Sequence, residues 1–544
     1  MKPLRSMLAV FLCVLGTSVL AHAQGVGASG DISGTVTDPS GAVVPNATVT
    51  ATQAEKGLKR TSLSDNRGEY HFTALPPASY EVSAQISGFQ TAVYKGVIVN
   101  VGQTVVLDFH LKVSQTSEQV EVTTEPPVVE TEKSHQADTI NEQYIRDLPI
   151  NRRDYLTFTL LAPGVNDSTR LSGDQDFRVK QTPQSGLSFY GSNGRGNSVT
   201  VDGGEANDDS GGVRLTLSQD AVQEFQINRS NYNADLGGAS GASINIVSKT
   251  GTNDLHGSLY GFFRNDALDA SNPFSFTQAL QPGQTFNPAG LDSFGQHTKD
   301  SLSRQQVGGT VGFPITKDKT FFFASVEALR QDAQNAVPLL TSTTIFRPDN
   351  GQFSGNNQAA ILAALAAQGA APLPVGVSCL GQTTFDACAA ALTSALTVSP
   401  TTGLSPGQTA RNTFLVNQFE NNGGLFPYNT RTYFASARLD HQFSDRNQAY
   451  LRYSFAHDNE QNPDVQSLTG FSRGSSIQGY DSTIQGAWFH QFSARTQNEL
   501  RGQWNYTNFN VIPNEPGEVG LDIPGFANLG TQIFLPSLTI MRRP

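Results

Sequence analysis

What most limits the folds open to this chain is a strand pattern of period two that recurs through its second half. Leu500, Gly502, Trp504 and Tyr506 alternate with Glu499, Arg501, Gln503 and Asn505. Successive strand residues point to opposite faces, so such a segment has one apolar and one polar side. Similar runs occupy 255–264, 304–313, 320–329, 431–441, 448–456 and 481–492. Each approaches the ~10 residues that a tilted strand needs to cross an outer membrane. A single strand of this kind would suit a soluble antiparallel sheet equally well. Their recurrence, with the motifs described below, favours a sheet that meets lipid on one face and water on the other. The 51 glycines, 33 phenylalanines and charged fraction of only 15% suit sheets whose two faces meet different solvents.

The N-terminus carries Lys2 and Arg5, an apolar run from Met7 to Leu20, then Ala21-His22-Ala23 and Gln24. This is the three-part layout of a secretory signal, expected at 1–23 and excluded from fold reasoning. No later stretch offers the ~20 consecutive apolar residues of a transmembrane helix. A formal net charge of −11 without a Lys/Arg cluster argues against a nucleic-acid partner, which needs a basic face. Cys13 leaves with the signal. Cys379 and Cys388 remain, and in an oxidising compartment they read as one loop disulfide, with two free thiols as the alternative. No His, Asp or Glu cluster beside them suggests a metal.

Residues 31–112 read as a small all-β module. Its turns are Asp38-Pro39-Ser40-Gly41 and Asp65-Asn66-Arg67-Gly68, and its strands carry Ala47, Val49, Ala51, Tyr70, Phe72, Tyr80 and Val82 at alternate positions. Gly34-Thr35-Val36-Thr37-Asp38, Asp65-x-x-Gly68-x-Tyr70-x-Phe72 and Leu75-Pro76-x-x-x-Tyr80-x-Val82 resemble the carboxypeptidase regulatory-like domain, a transthyretin-like β-sandwich. Ala78 stands where that family usually has glycine, so this turn must avoid a strongly left-handed backbone.

Residues 113–127 read as a polar linker containing a short strand. Residues 128–251 read as a compact α+β unit, helix-like over Ile140 to Leu148 and Asn151 to Leu161, with strands around Val199, Val201, Phe225, Ile227, Ile244 and Ile246. Leu148-Pro149-Ile150-Asn151-Arg152-Arg153, Leu161-Ala162-Pro163-Gly164-Val165, Val201-Asp202-Gly203, Val222-Gln223-Glu224-Phe225 and Ile244 to Asn253 resemble the plug of TonB-dependent receptors, in the Oar-like branch where a regulatory-like domain precedes the plug.

The resemblance implies a mainly β chain: a transthyretin-like β-sandwich, an α+β plug, then part of an antiparallel transmembrane β-barrel over 252–544. A long loop with short helices is expected at 331–430. Large plugged barrels have about 22 strands. Far fewer are countable here, and the chain lacks the terminal aromatic strand of such barrels, so a partial, truncated barrel is expected. The resemblance places the chain in the outer membrane of a Gram-negative bacterium, with the N-terminal domain in the periplasm and the barrel against outer-membrane lipid. It makes Glu118, Gln119, Val120, Glu121, Val122 and Thr123 a candidate TonB box, to which a TonB-type energy-coupling protein would add a strand. An ordinary linker strand is the equal alternative.

No catalytic set converges. His457-Asp458-Asn459-Glu460 lacks a third zinc ligand beyond the isolated His490. Gly470-Phe471-Ser472-Arg473-Gly474 lacks the strand-turn-helix context of a nucleophile elbow, and Gly191 to Gly196 lacks the end of a phosphate loop. Asp202, Glu205, Asp208 and Asp209 could offer oxygens to a cation such as Ca²⁺, though without EF-hand spacing, and a solvated acidic turn fits them better. No cofactor is implied. The expected task is uptake of an extracellular small-molecule or oligomeric ligand, a carbohydrate, peptide or siderophore. The alternative is a surface adhesion or matrix-binding protein that transports nothing.

Overall fold

The computed structural model describes residues 28–113, 120–122, 136–150, 153–167, 186–271, 297–337, 356–374, 379–401 and 422–514, apart from single positions and short stretches within them, and the strands at 521–523, 527–529 and 538–542. The expected signal at 1–23, and Glu118, Gln119, Thr123 and Asp209, lie outside the described residues.

The N-terminal unit is a two-sheet sandwich. Its strands are β1 (Gly30–Thr37), β2 (Thr48–Gln53), β3 (Lys59–Leu63), β4 (Glu69–Leu75), β5 (Ala78–Gln85), β6 (Ala92–Val99), β7 (Thr104–Val106), β8 (Phe109–His110) and β9 (Val120–Val122). One sheet runs β4-β1-β7 with β8 also on β1, and the other runs β3-β2-β5-β6-β9. The alternating residues read from the sequence meet between the sheets: Ile32, Val36, Val49, Tyr70, Phe72, Val82 and Phe109 form one buried cluster. Each large apolar side chain buried there contributes about 1.5–3 kcal/mol. Both turns are closed by aspartates, with Asp38 Oδ1 accepting from Ser40 N at 2.8 Å and Asp65 Oδ1 from Arg67 N at 2.8 Å. Ala78 is extended at the start of β5, and Ala74 takes the left-handed backbone instead, at φ 53°. A Cβ on Gly34 would stand 1.8 Å from the Leu107 carbonyl oxygen. Gly34→Ala is therefore expected to cost about 3 kcal/mol, the upper end for overpacking, read as a lowered denaturant midpoint.

The middle unit holds β10 (Gln136–Ile140), the short helix α1 (Glu142–Asp147), a 3₁₀ segment (Tyr155–Leu161), β11 (Val165–Asp167), β12 (Leu187–Phe189), β13 (Ser198–Val201), β14 (Gly204–Glu205), β15 (Val222–Ser230) and β16 (Ser243–Ser248). Asn141 caps α1 by accepting from Tyr144 N at 3.0 Å. The central sheet runs β10-β15-β16-β13-β14. Every residue of β16 is buried, so this sheet is covered on both faces. Ile244 and Ile246 face a core of Tyr155, Leu156, Phe158, Phe225 and Ile227.

The C-terminal half is one large antiparallel sheet. Its strands are β17 (His256–Asn265), β18 (Leu302–Thr316), β19 (Thr320–Val337), β20 (Gly424–Pro427), β21 (Thr430–Ser444), β22 (Asn447–Gln461), β23 (Ser475–Ser493) and β24 (Thr496–Pro513). β25 (Leu521–Ile523) pairs with β26 (Ala527–Leu529), and β27 (Leu538–Arg542) pairs with β24. The path is β17-β18-β19-β21-β22-β23-β24-β27, with β20 on β19. Every run read from the sequence is a strand, but β18 to β24 on this path are 15 to 19 residues long. At about 3.4 Å per residue they outreach the apolar band, and pairing continues through polar stretches that carry no alternation.

The loop expected at 331–430 is corrected accordingly. β19 runs to Val337, and β20 folds back to pair Gly424–Pro427 with Gln334 to Val337. Helices α2 (Asn356–Ala367) and α3 (Phe385–Leu396) lie between them, and the Cys379 and Cys388 sulfurs are bonded, with Cα atoms 5.7 Å apart.

The sheet is two-faced. Leu259 (93% exposed), Val326, Leu451 and Leu500 point outward, whereas Gln306, Glu327, Arg452, Ser454 and Gln485 are buried on the inner face. Its connections are also asymmetric: β18–β19, β21–β22 and β23–β24 are joined by tight turns at one end, and the long connections lie at the other. The sandwich sits at the tight-turn end, where Asn253 Nδ2 donates to Asp318 Oδ1 at 2.7 Å and Asn253 N to the Glu55 carbonyl at 3.1 Å.

Candidate functional site

The middle unit lodges against the inner face of the large sheet, and buried charges dominate the contact. Its anchor is the β13–β14 hairpin turn, Asp202-Gly203, both with positive φ at 49° and 77°. Aspartate followed by glycine suits such a turn because both tolerate the left-handed backbone. The turn presents Asp202 to β21, β22 and β23. Its carboxylate accepts from Ser248 N at 2.9 Å and from Ser248 Oγ at 2.7 Å. Arg438 Nη1 lies 3.2 Å from Oδ1, and Arg452 pairs with Oδ2. The Asp202 carbonyl accepts from Tyr450 Oη and from Gln485 Nε2, each at 3.0 Å.

Each arginine is held in turn. Arg438 donates to Asp440 and lies 4.3 Å from the centroid of the Tyr450 ring. Arg452, only 2% exposed, also donates to Gln485. Burial pushes the Asp202 carboxyl up, but the Arg452 and Arg438 guanidiniums with the Ser248 donors outweigh it and hold the group below the usual carboxylate range.

A second junction centres on Arg153 of the middle unit. It pairs with Asp220 of its own unit and, at 3.2 Å, with Glu327 of β19. Its guanidinium lies 4.3 Å from the Tyr260 ring centroid and 5.1 Å from that of Phe262. Glu327 accepts from Tyr260 Oη at 2.6 Å and from Gln306 Nε2 at 3.0 Å. A third pair joins Arg214 to Asp481 of β23 at 3.1 Å. Between them, Ser218, Ser325 and Ser436 form a hydroxyl chain with steps of 3.4 and 2.7 Å. Water can replace each of these partners, which it cannot do for an apolar core.

The sandwich docks on the same middle unit. Gln223 Nε2 donates to the Pro77 carbonyl at 2.8 Å, and Val101 N donates to the Glu224 carboxyl. Burial pushes the Glu224 carboxyl up to about 7. A raised folded-state value stabilises below the unfolded value near 4.5 and is lost as pH rises through about 7. Stability is therefore expected to fall between about pH 4.5 and 7 by up to about 3 kcal/mol, at ~1.4 kcal/mol per pKa unit. Melting curves across that range check this, and Glu224→Gln should flatten the profile.

The residues singled out in the sequence separate here. Asp202 is committed to two arginines, and Asp208 Oδ1 accepts from Gly212 N at 2.8 Å. Asp202, Glu205 and Asp208 therefore share no oxygen cage, and among the described residues no group of three His, Cys, Asp or Glu side chains could hold a metal. His457 stacks on Tyr433 and bonds the Gly479 carbonyl, and Ser472 donates to Asn422. Of the candidate TonB box, 120–122 form β9, paired in parallel with β6.

Residues 247–542 match the outer membrane beta barrel domain family, more than half of the chain. The chain belongs to that family. This outer-membrane barrel chain also matches the carboxypeptidase regulatory-like domain over 31–112. It is similar to the TonB-dependent transporter Oar of Myxococcus xanthus, 26% identical over 321 residues, which cover 57% of this chain and 28% of that one. The chain thus spans well under half the length of the curated relative it matches. Among solved structures it is similar to the siderophore receptor PirA of Acinetobacter baumannii (14% identity, TM-score 0.38, 74% of this chain and 43% of that one). It is also similar to the outer membrane transporter YddB of Escherichia coli (12% identity, TM-score 0.39, 73% and 43%). The barrel family places the chain in the outer membrane, and the similarity to Oar agrees with the resemblance read from its motifs.

Proposed function

We propose that this chain acts in TonB-dependent uptake of a nutrient across the outer membrane, with residues 128–251 as the plug. The observation that carries this reading is the middle unit held against the inner face of the sheet by buried ion pairs at Asp202, Arg153 and Arg214. Such contacts fix a plug firmly yet leave polar surfaces that water can cover when it shifts. The tight-turn end corresponds to the periplasmic side, since outer-membrane barrels keep short turns there and long loops outside. The sandwich and residues 118–123 would then face the periplasm, within reach of a TonB-type energy-coupling protein. Ligand would meet the long connections, including the α2–α3 segment. Carbohydrate, peptide and siderophore remain the candidate classes, and no covalent chemistry is required.

The test compares cells with and without the gene for uptake of labelled ferric siderophores, oligosaccharides and peptides. One class is expected to accumulate only with the gene. Val122→Pro, which removes a backbone donor from the coupling strand, should return uptake to the deletion level. Equal uptake across the panel, with the chain present in the outer membrane, contradicts the reading and favours adhesion.

A further inference from the structure

The β2–β3 turn of the sandwich reaches beyond its own domain. Gly57, at φ 65°, donates its N–H to the Gln53 carbonyl at 2.9 Å, closing a tight turn with Lys56 near its tip. A lysine in such a turn normally lies in water, and lysines are seldom buried unless paired. Lys56 is only 5% exposed, inserted at the inner face of the large sheet with Nζ 5.2 Å from the centroid of the Phe321 ring on β19. Asp440 of β21 supplies the facing acid: burial lowers the Lys56 amine from its ordinary value, and Asp440 opposes that shift. Lys56 reaches a cavity of about 80 Å³ that all three units line, with Pro77 from the sandwich, Gln223 and Ser248 from the middle unit, and Phe321 and Arg438 from the sheet.

The sandwich also spans the tight-turn mouth of the sheet. On one side Asn253 N donates to the Glu55 carbonyl at 3.1 Å, beside the Asp318 turn. On the other, Arg60 Nη1 and Thr73 Oγ1 each reach Gln497 Oε1 of β24 at 3.5 Å, the limit of a hydrogen bond. Strands β21, β22 and β23 lie between β19 and β24, and Lys56 enters over that stretch. We propose that the sandwich is a gate on this mouth: Lys56, seated between Phe321 and Asp440, blocks the way out of the lumen, and a ligand leaves only after Lys56 withdraws. The gate goes beyond the uptake reading and rests on it. It is also linked to the middle unit by charge. Arg438 Nε donates to Asp440 at 3.0 Å, and Arg438 Nη1 lies 3.2 Å from Asp202, so Lys56, Asp440, Arg438 and Asp202 alternate in sign from the sandwich through the sheet to the hairpin turn. When Asp202 departs, Asp440 alone must balance both Arg438 and Lys56, and the repulsion between those two cations then drives the lysine toward water.

The test labels Lys56→Cys with a maleimide that enters the periplasm, in cells carrying the full chain, with Ser87→Cys at an exposed turn of the same sandwich as reference. In resting cells Lys56→Cys is expected to react at least about tenfold more slowly than Ser87→Cys, as a site does when it must open first. Its rate should approach the reference while a compound of the panel that requires the gene is being taken up. Equal rates at rest overturn the seated lysine, and slow labelling that persists through uptake overturns the gate. A Glu55→Cys/Asn253→Cys pair gives an independent measurement, since the backbone hydrogen bond between these residues brings them within disulfide reach. Uptake is expected to stop when this pair is oxidised and to return on reduction. Undiminished uptake with the disulfide closed overturns the gate, however Lys56→Cys behaves. If no compound of the panel requires the gene, the uptake reading itself fails and takes the gate with it, a result distinct from the resting rates, which need no uptake.

Discussion

Replacing Asp202 by alanine is expected to destabilise the docked middle unit by about 3–5 kcal/mol, the cost of breaking a buried ion pair by removing one partner. Arg452 is 2% exposed, so its charge would remain inside without its carboxylate. Arg438 fares better because Asp440 still accepts from it at 3.0 Å. The loss therefore concentrates on β22, and the Asp202-Gly203 turn should fray first, since its carbonyl bonds from Tyr450 and Gln485 depend on the same placement. Hydrogen exchange at 198–205 and the denaturant midpoint report the change. Asp202→Asn keeps the shape but not the charge, so a similar loss there would assign the effect to electrostatics. If both variants leave the midpoint unmoved, the Asp202 junction is not an anchor.

Arg153→Ala is expected to rank second, at about 3 kcal/mol. It leaves Glu327, 5% exposed, without its cation and removes the guanidinium from the Tyr260 and Phe262 rings, contacts of about 0.5–2 kcal/mol each. Tyr260 and Gln306 still donate to Glu327, which softens the loss relative to Asp202→Ala. A built-in control exists in the Arg146–Asp147 pair, whose side chains are 66% and 51% exposed. Arg146→Ala should leave the midpoint almost unmoved, because water screens an exposed pair. The ordering Asp202, Arg153, Arg146 in midpoint shifts is the result to look for.

The sequence showed the strands of the large sheet because an apolar and a polar face impose a period of two on the chain. It did not show where those strands end. Residues such as Arg330, Asp332 and Arg431 pair with one another beyond the apolar band, and polar pairs on both faces leave no alternation to read. The sandwich was legible through its turns, whose aspartates and glycines have local work to do. The ionic interface was not. Asp202 stood in a local acidic group, and spacing alone could not reveal that its partners lie at 438 and 452. One signal was present: an arginine at an inward position among uncharged neighbours, such as Arg452 between Leu451 and Tyr453, needs an acid from elsewhere. The pairing of β9 with β6 was equally hidden, since three residues carry too little pattern to choose a neighbour.

The most direct test of the central claim, that the middle unit is a plug which must shift for transport, is a reversible tether between it and the sheet. Ser218 and Ser325 bring their hydroxyl oxygens within 3.4 Å across that boundary, so Ser218→Cys/Ser325→Cys should form a disulfide. Uptake would be measured for whichever labelled compound of the panel requires the gene, in oxidised cells and after mild reduction, with reduced wild-type cells as control for the Cys379–Cys388 bond. The account predicts that uptake stops in the oxidised variant and returns on reduction. Undiminished uptake with the tether demonstrably closed would contradict it.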